Sequence, residues 1–361
     1  MKFFEVLIVG AGPAGAIAGY HLAKTGMDVC LIDKSHFPRR KVCGGGLTQH
    51  ALNKLPFDVS SIIHQTVYRG QVRFKGRLVK TIQGNKPIAY MIDRSSFDAL
   101  LLDQAATQGA EFKSGERVTS IKQEEDNILI ETNQDRYLCR YLIGADGVHS
   151  IVAQQTGLVQ KRPTSLAYEA LMTPPNPAGS DGESITFDFG TILLGYGWVF
   201  PKREHLNVGV CRSWPGKNAS KKHLLRFIDQ HPALHRDRII NIRAYPIPLG
   251  GEESKLHQNH ILLAGDAANL ADPWLGEGLY YAFISGRLAG ETIYRHASGT
   301  IPDLAAYSNQ VNQQLIHQLI YARRLSLLVN ALPLINVAFI KSSPTLQKMI
   351  IDLLRGNQTY Q

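Results

Sequence analysis

Nearly unbroken apolar runs ending in glycine recur along this chain, separated by stretches with helical spacing. Residues 4–9 (FEVLIV) have the pattern of a strand buried on both faces of a parallel sheet. They lead into Gly10-Ala11-Gly12-Pro13-Ala14-Gly15, after which 16–24 has helical spacing and closes at Gly26. A second buried strand follows at 28–32 and ends on Asp33. Residues 94–108 (RSSFDALLLDQAATQ) predict a helix with Ser95 or Ser96 as its cap. Residues 116–123 and 127–132 predict a hairpin, and 137–144 predicts another buried strand that ends in Gly144-Ala145-Asp146-Gly147. Much later 260–264 is again an apolar strand, and a long helix runs from the Gly276-Glu277-Gly278 turn to about Tyr294.

The region 160–255 interrupts this series. Its stretches 184–189, 191–200 and 205–211 mix β-branched and aromatic residues with glycine or charged breaks, and 245–249 carries Pro246 and Pro248. That suits a mostly antiparallel sheet. Pro174, Pro175 and Pro177 mark a loop, and no internal repeat is present. The expected architecture is therefore α/β, with a discontinuous, Rossmann-type dinucleotide-binding domain over 1–70, 92–160 and 255–300. A mainly antiparallel β domain over 71–91 and 161–254 is inserted into it to bind substrate, and 301–361 forms a helical C-terminus. Within that terminus 325–340 is uncharged but interrupted by Pro333. As a helix it would reach only about 24 Å, short of a hydrocarbon core of about 30 Å. It is expected either to dock on the second domain or to lie against a membrane surface.

Composition narrows the class. A chain of 361 residues with 44% hydrophobic and 19% charged residues is long enough to bury a full core, which excludes disordered, collagen-like and disulfide-scaffold chains. The four cysteines are scattered, with no C-x-x-C and no Cys/His pair at zinc spacing, so no metal site is expected. Cys30 and Cys139 fall in strands and read as small buried hydrophobes of a protein in a reducing compartment. The first strand begins almost at Met1, which leaves no room for a cleavable signal and predicts a cytoplasmic protein. Net charge is +9, which fits a diphosphate-bearing substrate, an anionic membrane face or simply a basic surface. Aromatics are not interleaved with the basic residues, so no nucleic-acid partner is expected.

The chemistry gathers around the glycines. Gly10 allows a tight turn, Gly12 lets backbone approach a pyrophosphate, and Gly15 lets helix and strand pack closely. Asp33, 23 positions after Gly10, can accept both ribose hydroxyls. Asp146, Gly147 and Asp266 stand at the carboxyl ends of strands, where open α/β sheets bind ligands; each aspartate can equally cap a helix. Gly276 and Gly278 precede a helix whose N-terminal N–H groups can face negative charge. Cys43 follows Arg39, Arg40 and Lys41 and precedes three glycines, an electropositive and flexible setting that favours a reactive thiol. Tyr196, Trp198 and Phe200 alternate with Gly195, Gly197 and Val199, which puts three aromatics on one strand face. That face can line an apolar tunnel or form ordinary core, while the bare face is expected against flavin or another backbone. Lys202 is expected at the surface or near a phosphate head group.

Three motifs in this order, G-x-G-x-x-G at Gly10, GADG at Gly144 and AGDAA at Ala264, resemble the FAD-binding set of the aromatic-hydroxylase-like (group A) flavoproteins. FPRRKVCGGGL at 37–47, GYGWVFPK at 195–202 and P-x-x-G-E-G at 273–278 further resemble the geranylgeranyl reductase family. The resemblance covers about residues 1–300 and implies FAD as cofactor. It implies saturation of polyprenyl double bonds by reduced flavin, acting on a geranylgeranyl-type lipid, diphosphate or quinone chain. It carries Asp266 to the flavin ribityl chain, Asp146 to the pyrophosphate or riboflavin, Arg94 to the flavin, and Cys43 to proton delivery beside it. Ala14, Lys34, Gly44, Val118 and Pro273 join the implied cofactor set, and Tyr196, Trp198 and Phe200 the substrate set. The electron donor is expected to be NADPH or a reduced ferredoxin, the latter as a partner protein, with peripheral membrane contact through the lipid substrate. One departure stands out: where the family continues to an arginine after Ser150, this chain has Ala153. A monooxygenase or halogenase on the same scaffold is the main alternative, and a non-catalytic FAD- or lipid-binding protein is the other.

Overall fold

A computed structural model describes residues 1–158, 164–174, 184–214, 218–331 and residue 343. The chain begins with β1 (Lys2–Val9), α1 (Pro13–Lys24), β2 (Val29–Asp33), β3 (Gly46–Thr48) and α2 (Gln49–Leu52). Next come β4 (Ile63–Val67), β5 (Arg69–Phe74), β6 (Arg77–Gln83), β7 (Ala89–Ile92), α3 (Arg94–Thr107) and β8 (Glu111–Ser114). They are followed by β9 (Val118–Glu124), β10 (Asn127–Thr132), β11 (Arg136–Gly144), α4 (Ile151–Thr156), β12 (Thr164–Met172) and β13 (Ser184–Phe189). The chain continues with β14 (Gly195–Pro201), β15 (Leu206–Arg212), α5 (Lys221–Gln230), β16 (Ile239–Pro248), β17 (His257–Gln258) and β18 (Ile261–Leu263). It closes with α6 (Leu279–Ala297), α7 (Ala305–Val311) and α8 (His317–Ala331).

β1 is the centre of an eight-stranded sheet, with β2 and β11 parallel on its two sides and β8 and β18 parallel beyond them. Phe4, Leu7 and Ile8 are fully buried, as expected for a strand covered on both faces. α1 and α6 pack together over this sheet. A Cβ at Gly286 of α6 would come within 2.3 Å of the Ala14 carbonyl, so the two helices cross at backbone distance. The fold class is as expected: a parallel, FAD-binding-type α/β body, an antiparallel sheet and a helical C-terminal region.

The second sheet has the order β16-β12-β15-β14-β13-β5-β6. All its pairings are antiparallel except β13 with β5. α5 covers one face, burying Leu224, Phe227 and Ile228. β3, β7 and β4 form a small third sheet beside the body.

Several boundaries differ from the sequence expectation. The aromatic strand starts at Gly195, because Thr191 donates to Asp188 in a turn that ends with Leu194 at φ 57°. α3 begins at Arg94 with Asp93 at the cap position, and Ser95 and Ser96 lie inside the first turn. Leu304, Tyr307, Val311 and Leu315 join the core of the parallel body, and the Tyr307 hydroxyl donates to the Leu263 carbonyl at 2.6 Å. Most of the uncharged segment 325–340, and Pro175 and Pro177 of the expected loop, lie outside the described residues. No helix among the described residues is long and apolar enough to cross a membrane.

Candidate active site

The turn after β1 is built around Gly10, whose φ of 99° and 2.4 Å clearance from its virtual Cβ to the Ala145 carbonyl admit only glycine. Asp33 ties this turn to β2: Oδ2 accepts the Ala11 N–H at 2.9 Å and Oδ1 the Ser35 N–H at 2.8 Å. Gly12 caps α1 and faces open space, since a Cβ there would meet only the Arg39 guanidinium at 3.2 Å. The first N–H groups of α1 and a guanidinium thus converge on a small cradle, the donor set that a pyrophosphate requires. Beside it Ser150 caps α4, its hydroxyl accepting the Ala153 N–H at 3.0 Å, and Asp146 Oδ2 accepts the Ile151 N–H of the same first turn at 2.6 Å. Asp146 Oδ1 is buried with no hydrogen-bond partner among the described residues, and burial raises the carboxyl's pKa. An acceptor left over at a phosphate cradle fits a dinucleotide that brings hydroxyl donors. These observations fit FAD.

The loop 39–46 crosses from the parallel body to the antiparallel sheet. Arg94 makes a bidentate pair with fully buried Asp98 at 2.7 and 2.8 Å, and Arg39 reaches the same carboxylate at 3.2 Å. Burial disfavours the Arg94 charge, yet Asp98 and the Cys43 thiol together raise its pKa above the ordinary value. Arg94 is therefore a buried residue against the Cys43 loop. Lys41 lies 3.2 Å from the Tyr245 ring centre, and burial pushes its pKa down to about 8. The Cys43 thiol accepts the Gly45 N–H at 3.4 Å.

Tyr196, Trp198 and Phe200 form the opposite wall. Their rings follow one another at 6.2 and 6.4 Å, with Phe187 packed edge-on against Tyr196 and Phe200. The glycine face of this strand meets another backbone at Gly195, whose virtual Cβ lies 2.1 Å from the Cys211 carbonyl, as expected, but at Gly197 it meets the Phe227 ring of α5 at 2.7 Å. Bulk from the helix fills the space that glycine leaves, which turns all three aromatics the other way. Lys202 corrects another expectation. It is 8% exposed, with Nζ donating to the carbonyls of Gly45 at 2.8 Å and Ile92 at 2.7 Å, and burial pushes its pKa down to about 8.

These walls enclose one cavity of about 700 Å³. Its wall brings together Gly10, Gly12, Ala14, Asp33, Lys34 and Val118 with Asp146, Gly147, Arg94 and Asp266. Cys43, Gly44, Gly276 and Gly278 line it as well. Virtual Cβ atoms at Gly44 and Gly276 come within 3.0 Å of the Phe200 ring and 3.1 Å of the Tyr196 hydroxyl, which joins them to the aromatic face. Gly15 and Pro273 are not on its wall. Gly15 is packed 1.9 Å (virtual Cβ) from the Gly10 carbonyl, and Pro273 is buried in the loop before α6. Ala153 is also off the wall, fully buried in α4 while Ile151 and Gln154 line the cavity. The sequence reading missed Glu169, Asn207 and Thr48, and assigned no role to Lys41 or Glu277. Glu169 and Asn207 are 4% and 3% exposed, although they sit in apolar strands with no motif around them. A charged or amide residue at an inward strand position is the only signal they leave.

The FAD-binding domain family matches residues 4–178. The digeranylgeranylglycerophospholipid reductase of Methanocaldococcus jannaschii is 31% identical over 310 residues, covering 80% of this chain and 76% of that protein. The menaquinone reductase of Mycolicibacterium smegmatis is 27% identical, covering 90% and 84%. In fold, the chain is similar to a geranylgeranyl bacteriochlorophyll reductase-like protein of Thermoplasma acidophilum. Their TM-score is 0.82 at 22% identity, over 99% of this chain and 98% of the other. With a dinucleotide cradle built on its first turn and relatives of this identity and coverage, the chain belongs to the geranylgeranyl reductase family of FAD-dependent oxidoreductases.

Proposed function

We propose that this enzyme saturates isolated double bonds in the polyprenyl chain of a lipid, diphosphate or quinone. The observation that carries the reading is the single cavity in which the dinucleotide cradle runs into an aromatic wall, with Cys43 at the junction. The names of the relatives, a glycerophospholipid reductase and a menaquinone reductase, support a long isoprenoid carried on different head groups.

In this reading 1–70, 92–160 and 255–300 form the FAD-binding body, and 71–91 with 161–254 the substrate side. Gly10, Gly12 and Ala14 with the start of α1 would hold the pyrophosphate, Asp33 and Lys34 the adenosine ribose, and Val118 the adenine. Gly15 would serve only by letting α1 pack close behind that turn. Asp146, Gly147 and Asp266 would hold the ribityl region, and Arg94, Gly44, Gly276 and Gly278 would frame the flavin ring. Bound and reduced, FAD supplies a hydride to one alkene carbon while the neighbouring carbon takes a proton. The chain orients the alkene and excludes water. Tyr196, Trp198 and Phe200 lay an apolar chain along one wall, and the Cys43 thiol can release a proton at the junction. The N-terminal end of α6 faces the cavity at Gly278 and favours negative charge gathering there. The electron donor in this reading is NADPH or a reduced ferredoxin.

The test is anaerobic: reduce the purified holoenzyme chemically, add geranylgeranyl glycerophospholipid or menaquinone, and follow flavin absorbance. Its return without oxygen, with a product heavier by two hydrogens per bond, is the expected result. A flavin that stays reduced with every polyprenyl substrate until air is admitted would overturn the reading.

A further inference from the structure

We propose that Glu277 is a second acid of this cavity, separate from Cys43, which presents a neutral carboxyl to the double bond being reduced. The proposal deepens the reductase reading and rests on it. Glu277 lies between Gly276 and Gly278 on the cavity wall. Its loop is closed on Asp272, whose Oδ1 accepts Trp274 and Leu275 N–H at 2.6 and 2.8 Å and whose N–H donates to the Glu277 carbonyl at 2.8 Å. From β3 the Thr48 hydroxyl donates to Glu277 Oε1 at 2.7 Å, while its oxygen accepts the Ala51 N–H at 3.1 Å. The only proton of Thr48 is therefore aimed at the carboxyl, and the carboxyl is held in one orientation.

No lysine or arginine pairs with Glu277 among the described residues. The titratable groups around it are Asp272 on its own loop and the phenols of Tyr280 and Tyr281 on α6. His50 of α2 stacks on Tyr280 at 4.0 Å, but burial pushes its pKa down to about 4, so it brings no cation at neutral pH. A carboxyl withdrawn from water beside another acid and without a cation keeps its proton, and burial pushes Glu277 up to about 7. An acid in that range is matched to proton transfer near neutrality. In the step, the carboxyl O–H bond and the alkene π bond break. A C–H bond forms at the carbon next to the one that takes the hydride, and the carboxylate left behind recovers its proton from water.

Two measurements test this on the FAD-loaded enzyme. Infrared difference spectra of wild type minus Glu277→Gln should show a protonated carboxyl band at pH 6 that fades with a midpoint near 7. Thr48→Val, which removes a hydrogen bond to the ionised form, should move the midpoint up, and Thr48→Ser should restore it. Single-turnover reoxidation with a geranylgeranyl lipid should fall above that midpoint in wild type and in Cys43→Ala. It should be about 100-fold slower and without that fall in Glu277→Gln. Absence of the band at pH 6, or an unchanged pH profile in Glu277→Gln, overturns the proposal. If no variant and no wild type reoxidises, the reductase reading fails instead, and the infrared titration still reports whether the carboxyl is neutral.

Discussion

The indole of Trp198 and the carboxamide of Asn207 meet across β14 and β15, Nε1 donating to Oδ1 at 2.8 Å. The amide nitrogen of Asn207 then donates to Glu169 Oε2 at 3.0 Å and, more weakly, to the Cys43 carbonyl at 3.4 Å. Burial raises the pKa of Glu169. Hydrogen bonds across three neighbouring strands thus end on the Cys43 carbonyl, and the aromatic wall is tied to the cysteine loop. Asn207→Leu keeps the volume but orphans the indole N–H and one carboxylate oxygen, at about 1–3 kcal/mol each. The variant is expected to retain FAD, to unfold at lower denaturant concentration, and to expose Cys43 to alkylation. Denaturant titration and the iodoacetamide rate check this, and a wild-type alkylation rate would show that the clamp does not hold the loop.

Much of this arrangement could be read from the chain and some could not, for a physical reason. Gly10, Gly12, Gly15 and Asp33 stand at a spacing that a turn, a phosphate and a ribose impose together, so local order alone reveals them. Cys43 and the aromatic strand were visible as motifs. Glu169 and Asn207 act through contacts 164 or fewer positions distant in sequence but fixed by sheet register, which no local pattern encodes. β5 and β6 escaped because RGQVRF and RLVKTIQ mix charge and apolar positions, as strands at a half-exposed sheet edge do. Lys202 misled for a related reason: a lysine after proline reads as surface, and only the tertiary fold brings two carbonyls to its ammonium group.

Lys202 yields a pH prediction. Its pKa falls from 10.5 in the unfolded chain to about 8 when folded, so between these values the unfolded state binds more protons. Stability from this group therefore rises as pH climbs from about 8 to 10.5. Lys202→Met removes the dependence and leaves the carbonyls of Gly45 and Ile92 without this donor. The stability difference between wild type and variant is expected to widen over that window. Denaturant titrations at pH 7.5, 9 and 10 (roughly spanning the window) would contradict this if the difference stays flat.

Asp98 serves two guanidinium groups, so its loss is expected to be costly. Asp98→Asn leaves Arg94 and Arg39 facing a neutral amide inside the protein, and breaking a buried pair in this way costs about 3–5 kcal/mol. FAD should also bind more weakly, because Arg39 is the side chain nearest Gly12 in the cradle. Denaturant titration of the FAD-free protein reads the first effect and flavin fluorescence on titration with FAD the second. A variant as stable as wild type would mean that the cluster is solvated.

Gly10 and Gly12 are two residues apart, yet alanine at each is expected to act through different states. At Gly10 the new Cβ would lie 2.4 Å from the Ala145 carbonyl and the residue must keep φ at 99°, so the clash is with the protein's own backbone. Gly10→Ala should therefore destabilise the FAD-free protein, by several kcal/mol if the turn cannot move. At Gly12 φ is −72°, which alanine adopts freely, and the Cβ meets only the end of Arg39 at 3.2 Å, a flexible side chain that can shift. Gly12→Ala should fold with an unchanged denaturation midpoint in the absence of FAD. The methyl group then occupies the approach that a pyrophosphate needs, and affinity for FAD should drop by about 100-fold, or about 2.7 kcal/mol. Denaturation of both FAD-free variants, together with the flavin retained after gel filtration, separates the cases. A Gly12→Ala protein that keeps its FAD would remove the pyrophosphate from this turn, whatever the fate of Gly10→Ala.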